Sequence, residues 1–434
     1  MAPHLSERYD AVVVGAGPAG SAAALTIARG GGRVALLERG EYPGCKNVFG
    51  GTIYAEATAS IFPAFWEEAP LERPVVTDLM WFTSPDSIVS LGFTGLRFGQ
   101  APYNKFTALR AKFDRWMAGK AAEAGAEVFT EALVRDFVRN RRVFGGVILN
   151  SGEQILADVV IIAEGAGAFL TKKAGLRTEI PTHTLTLYAK EVLSLPAGVI
   201  EDRFHLPPGE GSNISIIGDP MAGAVGKVGI WTNKESLSVI AGAYLNQLAD
   251  KGLSPYALLQ RAKRHPIIQR LLEGAEVEEY QSHIIPKGGF KLIPKLFADG
   301  VLVAGDAAVM VSGRHGTDLA MLTGQLAGET ALLAKAKGDF SAATLGQYRN
   351  KVHEMYFMKD IKRDKDPTRY YREHPDSDYL FATAVNRVGY GLFAEKMLSD
   401  ADRKAEAMSE VLSLEPPLKL GADVLIGLQH WRVL

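Results

Sequence analysis

Residues 9–38, YDAVVVGAGPAGSAAALTIARGGGRVALLE, constrain the fold more than any other part of the chain. Ala11 to Val14 is a short apolar run suited to a buried parallel strand. Gly15-x-Gly17-x-x-Gly20 follows at once, then small residues with Leu25, Ile27 and Ala28 at helical spacing, then a second apolar run, Val34 to Leu37, which ends at Glu38. Strand, glycines, helix, strand and acid in this order predict a βαβ unit that binds a dinucleotide. Gly15 permits the tight turn, Gly17 lets the backbone approach a pyrophosphate, and Gly20 lets the helix pack close to the strand. The helix N-terminus faces the phosphates with unpaired N–H groups and a positive dipole end. Glu38 is placed to accept hydrogen bonds from ribose hydroxyls. The candidate cofactor contacts here are Gly15, Gly17, Pro18, Ala19, Gly20, Glu38 and Arg39. The motif by itself does not choose between NAD and FAD.

The totals remove several classes. With 434 residues the chain is long enough for two or three regions around substantial cores. A formal net charge of -1 gives no hint of a nucleic-acid partner. A single cysteine, Cys45, cannot close an internal disulfide, and an iron–sulfur cluster needs about four thiolates. The N-terminal MAPHLSERYD lacks the apolar core of a signal peptide, and no apolar stretch reaches the roughly 18–20 residues of a spanning helix. The expectation is a cytoplasmic protein, peripherally associated with the cytoplasmic membrane.

Two later segments bear on the cofactor. Residues 158–167, DVVIIAEGAG, and 299–308, DGVLVAGDAA, each read as a buried strand ending in small residues, the second at Gly305-Asp306. An N-terminal GxGxxG with a late strand–Gly–Asp pair resembles the FAD-binding proteins of the glutathione-reductase structural class. The resemblance implies that Asp306 reaches the ribityl chain and pyrophosphate. Disulfide reductases of that class carry two cysteines after the first βαβ unit, so one cysteine excludes their chemistry. No second full GxGxxG for a nicotinamide is found; GDPMAGAVGKVG at 218–229 lacks the spacing and reads as a turn between strands.

In residues 104–129, Leu109, Phe113, Trp116, Met117 and Ala121 share one apolar helical face, with Arg110 near the helix start. The stretch resembles the Arg–helix–AGA segment of the geranylgeranyl-reductase and electron-transfer-flavoprotein dehydrogenase superfamily, which implies that Arg110 contacts the flavin nucleotide. The loop PGCKNVFGG at 43–51 resembles the flavin-edge loop of the FixC branch of that superfamily. The match continues through GGTIYAE, VLVAGDAA and GTDLAMLTGQLAGETAL at 316–332, and is poor through about 171–280. On this resemblance Gly50 and Gly51 let the backbone pass close to the flavin ring, and Lys46 and Asn47 are placed to supply a charge or hydrogen bonds nearby. Cys45 reads as a small packing residue. Gly316, Thr317 and Asp318 become candidates at a helix N-terminus whose dipole stabilises negative charge on the reduced ring. Lys46 and His315 are the candidates for a catalytic role, with an ordinary loop residue the plainer reading of each; no metal-ligand spacing is found.

The expected fold is α/β: a discontinuous glutathione-reductase-type FAD-binding Rossmann domain over 1–75, 104–170 and 281–345, and an antiparallel-sheet domain from 76–103 and 171–280 on the quinone side of the flavin. DSIVSLGF, THTLTLYAKEVL and KVGIWTN support that sheet. Residues 346–434 form a helical, partner-facing region ending in the moderately apolar EPPLKLGADVLIGLQHW. The resemblance implies an FAD subunit that passes electrons from an electron-transfer flavoprotein, of alpha and beta subunits, to a membrane quinone. It also implies a separate small ferredoxin-like subunit carrying the 4Fe–4S cluster. Some complexes of the family bifurcate electrons between quinone and ferredoxin. The competing readings are a geranylgeranyl or prenyl reductase, against which the 43–51 loop argues, and an NAD(P)H-dependent aromatic hydroxylase, weakened by Glu164-Gly165 where that class has Asp-Gly. A flavin-bearing assembly subunit is the non-enzyme reading.

Overall fold

Strand β1 (Tyr9–Val14) is a nearly unbroken apolar run because both of its faces are covered: five of its six residues are buried. The computed structural model describes residues 8–46, 51–141, 143–363, 365–366, 368–414 and 419. Two compact units account for the chain: 1–71, 108–181 and 284–367 form the first, and 72–107, 182–283 and 368–434 the second.

In the first unit, β1 leads through helix α1 (Pro18–Arg29) to β2 (Val34–Leu37). Helix α2 (Arg110–Glu123) precedes β3 (Glu127–Phe129); β4 (Val134–Asn140) and β5 (Val143–Leu149) form a hairpin that feeds β6 (Gln154–Ile162). β7 (Phe297–Ala298) and β8 (Val301–Val303) complete the set, and helix α3 (Thr317–Lys337) follows. The sheet order is β7-β8-β6-β1-β2-β3. β8, β6, β1, β2 and β3 run parallel, in register so that Val14 lies beside Leu37 and Ile162, and Ile162 beside Val303. This is the Rossmann-type arrangement that residues 9–38 predict.

Two helices of this unit meet along a seam without side chains. A Cβ on Gly324 of α3 would lie 2.0 Å from the carbonyl oxygen of Ala19 on α1, and one on Gly328 would lie 2.8 Å from that of Ala23. Glycine here is a packing requirement, since helix axes come this close only when the residue between them has no side chain.

The second unit is built on a mostly antiparallel sheet. Its strands lie in the order Glu276–Pro286, Leu185–Ser194, Ser236–Tyr244, Gly226–Thr232, Gly211–Gly218, Leu71–Thr83, Lys105–Ala108, with Ile88–Thr94 paired to Leu71–Thr83. One face buries Ile214, Ile216, Val228, Ile230 and Val239 among the residues of Ala197–Phe204, Pro255–Arg264 and Pro266–Leu272. On the other, Met80, Phe82 and Ile217 pack on Ala382 and Phe381 of the helix Ser377–Phe393. Arg73 is buried in this unit, its guanidinium donating to the carbonyl oxygens of Asn233, Lys234 and Glu210 and to Glu201 Oε1 at 2.6–3.0 Å.

The helices after residue 345 are divided between the units at 367/368. The EPPLKLGADVLIGLQHW segment lies outside the described residues apart from Lys419. Among the described residues no helix is long and apolar enough to cross a membrane.

Gly324→Ala is expected to destabilise the FAD-loaded protein by about 1–3 kcal/mol through overpacking. Gly119→Ala on α2, where an added Cβ meets nothing within 4 Å, is expected to be neutral or to gain about 0.5–1 kcal/mol. Urea unfolding of the two variants side by side checks the pair.

Candidate functional site

The parallel register brings four chain segments to one edge of the first unit's sheet. β1 ends into Gly15, β2 into Glu38, β6 into Ala163-Glu164, and β8 into Ala304-Gly305-Asp306. Gly15 N donates to Leu37 O at 2.7 Å, Ala163 N to Val14 O at 2.9 Å, and Ala304 N to Ile162 O at 2.9 Å, so the edge stays aligned past the strands. In open α/β sheets ligands bind outside the carboxyl ends of the strands.

Each glycine of the fingerprint has a distinct role. Gly15 has φ +102°, and a Cβ there would lie 2.4 Å from Ala163 O. A Cβ on Gly20 would lie 1.8 Å from Gly15 O, so the helix enters the turn at backbone contact. At Gly17 nothing lies within 4 Å of the Cβ position: the backbone there borders open space. Helix α1 begins with Pro18 at its first position, no side chain caps it, and no acid stands in its first turn. Its leading N–H groups are therefore free for an anion.

Glu38 is half-buried, and its carboxylate accepts from Ala16 N at 3.1 Å and Gly40 N at 2.8 Å. These bonds fix the acid against the glycine turn and leave further lone pairs for a ligand hydroxyl. Arg39 is exposed beside it. In the following turn, Gly44, at φ +93°, lies with its Cβ position 3.0 Å from Arg110 O and 2.9 Å from Asp114 Cβ. The loop that carries Cys45 and Lys46 is thus seated on the start of α2. The Cys45 sulfur packs over Gly40, where an added Cβ would lie 2.2 Å from it. Lys46 is exposed, Gly51 is buried at the head of a short strand, and Asn47 and Gly50 lie outside the described residues.

Arg110 is the first residue of α2 and is buried. Its Nε and Nη2 donate to the two oxygens of Asp114 at 2.6 and 2.9 Å, and its Nη1 to Thr317 Oγ1 at 3.0 Å. Sequence reasoning named Arg110 and Thr317 and missed Asp114, although an i,i+4 acid on a helix is a readable signal. The first turns of α3 close the same region: a Cβ on Gly305 would lie 2.8 Å from Ala19 Cβ and 3.5 Å from Ala320 Cβ. Thr323 Oγ1 accepts from Gly305 N at 3.1 Å. Val309, at φ +58°, ends this turn in a left-handed conformation that a β-branched residue adopts only under constraint.

The Asp306 carboxylate accepts no hydrogen bond among the described residues, while its main-chain oxygen accepts from Val309 N at 2.9 Å. Burial pushes its carboxyl up to about 6, opposed by the charges of Arg110 and Lys287. Lys287 is in turn held below the usual lysine range by burial, against the pull of Asp306. Nearby, Arg177 donates from Nη1 to Ala307 O at 3.0 Å, while its buried Nε has no partner among the described residues. Glu164 accepts from Leu170 N at 2.8 Å and from Thr171 N at 2.7 Å, at the start of the short helix that follows it; burial raises its carboxyl and these bonds oppose the rise. Lys287 and Arg177 were not found from sequence, since only the tertiary fold brings them to Asp306.

At the N-terminus of α3, Asp318 Oδ1 accepts from Gly316 N at 3.0 Å and Oδ2 pairs with His315 Nδ1 at 2.6 Å. The His315 ring lies 4.3 Å from that of Tyr54. In the second unit a separate polar group stands on the sheet: Lys105 Nζ donates to both oxygens of Asp78 at 2.5 Å, beside Asn213. Sequence reasoning had no signal for it.

An open space above Gly17, an uncapped helix N-terminus, a half-buried acid without a hydrogen-bond donor and a buried donor without an acceptor form a cradle suited to FAD. The pyrophosphate would lie on α1, a ribose on Glu38, and the ribityl hydroxyls within reach of Asp306. This arrangement fits the binding of FAD by a Rossmann-type unit. A family profile described as FAD dependent oxidoreductase matches residues 10–201. The protein FixC of Azorhizobium caulinodans is 42% identical over 367 residues, covering 83% of this chain and 84% of that protein. A protein of Escherichia coli K12 named "Probable electron transfer flavoprotein-quinone oxidoreductase YdiS" is 36% identical over 82% of this chain and 84% of its own length. The crystal structure of a geranylgeranyl bacteriochlorophyll reductase-like protein from Thermoplasma acidophilum shares the fold, with a TM-score of 0.67 at 17% identity over 95% of this chain and 97% of that one. The chain is an FAD-dependent oxidoreductase, and it belongs to the FixC family.

In the FAD-free protein Asp306 titrates at about 6, against 3.8 in the unfolded chain. The folded state then holds the proton between these values, so stability falls as pH rises through that window. Asp306→Asn is expected to be more stable than wild type at pH 7 by a few kcal/mol, with the difference closing towards pH 4, and to bind FAD at least about tenfold more weakly. Urea unfolding across pH and fluorescence titration with FAD check both halves.

Proposed function

We propose that this protein works in electron transfer, taking electrons from an electron-transfer flavoprotein and passing them to a membrane quinone through FAD held in the first unit. The observation that carries the reading is the similarity over four-fifths of the chain to FixC and to the quinone oxidoreductase homologue, joined to a site with one dinucleotide fingerprint. With one fingerprint and no second nucleotide motif, donor and acceptor meet the same cofactor. The flavoprotein's alpha and beta subunits are its electron donors. A small ferredoxin-like subunit carrying a 4Fe–4S cluster completes the complex, which sits at the cytoplasmic face of the membrane. Bifurcation between quinone and ferredoxin is the form of the reaction open to such a complex.

Bound FAD supplies the capacity to accept electrons singly and deliver two. The chain's part is to hold and tune it. The α1 N-terminus and Gly17 bind the phosphates, Glu38 and Asp306 the hydroxyls, and Arg110, fixed by Asp114 and Thr317, holds a rigid guanidinium in the cradle. Lys46, Gly51, Gly316 and Thr317 line the approach on this reading. Asn47 and Gly50 belong to the same loop in sequence. The Cys45 sulfur, seated on Gly40, is a packing group.

The test is the absorbance of the anaerobic protein while NADPH and then a short-chain quinol are added. Bleaching by quinol, reversed by quinone, with no catalytic response to NADPH is the expected result. Bleaching by NADPH at a catalytic rate overturns the reading in favour of a reductase or hydroxylase. A flavin that no donor reduces marks a structural cofactor instead.

A further inference from the structure

The turn before α3 holds a carboxylate–imidazole pair that the cofactor cradle does not use. His315 Nδ1 lies 2.6 Å from Asp318 Oδ2, and the Asp318 side chain is only 1% exposed. The second oxygen of Asp318 accepts from Gly316 N, so the carboxylate is fixed at both ends. A buried carboxylate at this distance accepts a hydrogen bond from Nδ1–H, which leaves Nε2 as the nitrogen open to exchange a proton. Backbone bonds clamp the turn as well: Ser312 N donates to His315 O at 3.0 Å and His315 N to Ser312 O at 2.9 Å. The imidazole packs on Tyr54, yet its side chain is 38% exposed, so it reaches solvent.

The pair also adjoins the cradle. Thr317, two residues beyond His315, accepts from Arg110. Ala320, in the next turn, borders Gly305, and Gly324 meets Ala19. α3 is thus one wall of the cofactor site, and the pair caps that wall.

We propose that His315 gives the proton that must accompany electron delivery to the acceptor, with Asp318 as the positioning residue that holds its ring. The inference rests on the reading of the acceptor as a quinone. A quinone takes two electrons and two protons. Bound reduced FAD in its anionic form, the form the positive end of α3 would favour, would supply two electrons and one proton. The second proton comes from His315: its Nε2–H bond breaks, an O–H bond forms on the quinone oxygen, and the neutral imidazole is recharged from water. The charged and titratable groups around the ring are Asp318, Arg314, whose guanidinium lies 5.9 Å from the Tyr54 ring centre, and Tyr54 itself. Glu56 and Tyr356 stand behind them; the Tyr356 hydroxyl is raised by burial and then by Asp318 and Glu56.

The test uses the FAD-loaded wild type, His315→Gln and Asp318→Asn. In the last of these the amide oxygen can keep the Gly316 bond. Each is reduced by light and reoxidised by a short-chain quinone in single turnovers across pH, with and without imidazole; FAD content and the cofactor's midpoint potential are followed against pH. The expected result for His315→Gln is full FAD content, reoxidation slower by about 100-fold, loss of the acid-side rate dependence, and recovery with imidazole. Asp318→Asn is expected to slow the step about tenfold while keeping a shifted pH dependence. Full FAD content with an unchanged rate and pH profile in His315→Gln overturns the proposal, as does a loss that imidazole does not restore. If quinone fails to reoxidise the wild type, the quinone reading falls. The potential then decides the dyad separately: a break in its pH dependence that vanishes in His315→Gln supports it, and the same break in both proteins overturns it.

Discussion

The site depends on the closeness of α1 and α3. The carbonyl of Ala19 faces Gly324 with no side chain between them, and Ala23 faces Gly328 one turn further on. This contact draws the N-terminal turns of α3 against Gly305 and sets Thr317 at the guanidinium of Arg110. Any side chain at Gly324 would separate the helices and loosen three contacts at once. The helix is therefore rich in small residues for a geometric reason. Its buried positions include Ala320, Gly324, Ala327, Gly328 and Ala331, which add little hydrophobic stabilisation each but permit dense backbone packing.

Electrostatics inside the cradle are arranged in pairs. A buried guanidinium is costly unless its donors are used. Arg110 spends two on Asp114 and one on Thr317, which fixes its plane and keeps the ion pair neutral as a whole. Lys287 and Asp306 oppose one another more loosely. Burial pushes the lysine down and the acid up, and each offsets part of the other's shift. An anionic cofactor entering this region meets the uncapped N-terminus of α1, whose dipole is already oriented, so little reorganisation is needed.

Much of this was legible locally and little of it globally. The β1–α1–β2 unit could be read because strand, turn, helix and acid occupy thirty consecutive residues and each has its own sequence signal. Gly305-Asp306 could be read because a buried apolar run leads straight into it. Asp114 lay one helical turn from Arg110 and was within reach of the same reasoning. Lys287, Arg177 and the Lys105–Asp78 pair were not: their partners are 19, 130 and 27 residues away, and no periodicity links them. Leu71 and Glu72 fall in different units yet belong to one continuous strand, and the prolines and charges around them, Pro70, Glu72, Arg73 and Pro74, do not interrupt it.

Three aspartates in and beside the cradle illustrate how environment assigns a role to a residue type. Asp114 is saturated by a guanidinium, and Asp318 by an imidazole and a backbone N–H. Both are committed to holding another group in place. Asp306 has no such donor among the described residues, and it is the one whose carboxyl burial raises to about 6. A carboxyl in that state is the group a ligand hydroxyl can still satisfy. The same side chain thus serves as a brace for a guanidinium, as the holder of an imidazole and as an open acceptor, according to which partners the fold supplies. Sequence position alone does not distinguish the three; the register at the strand ends and the seam between α1 and α3 do.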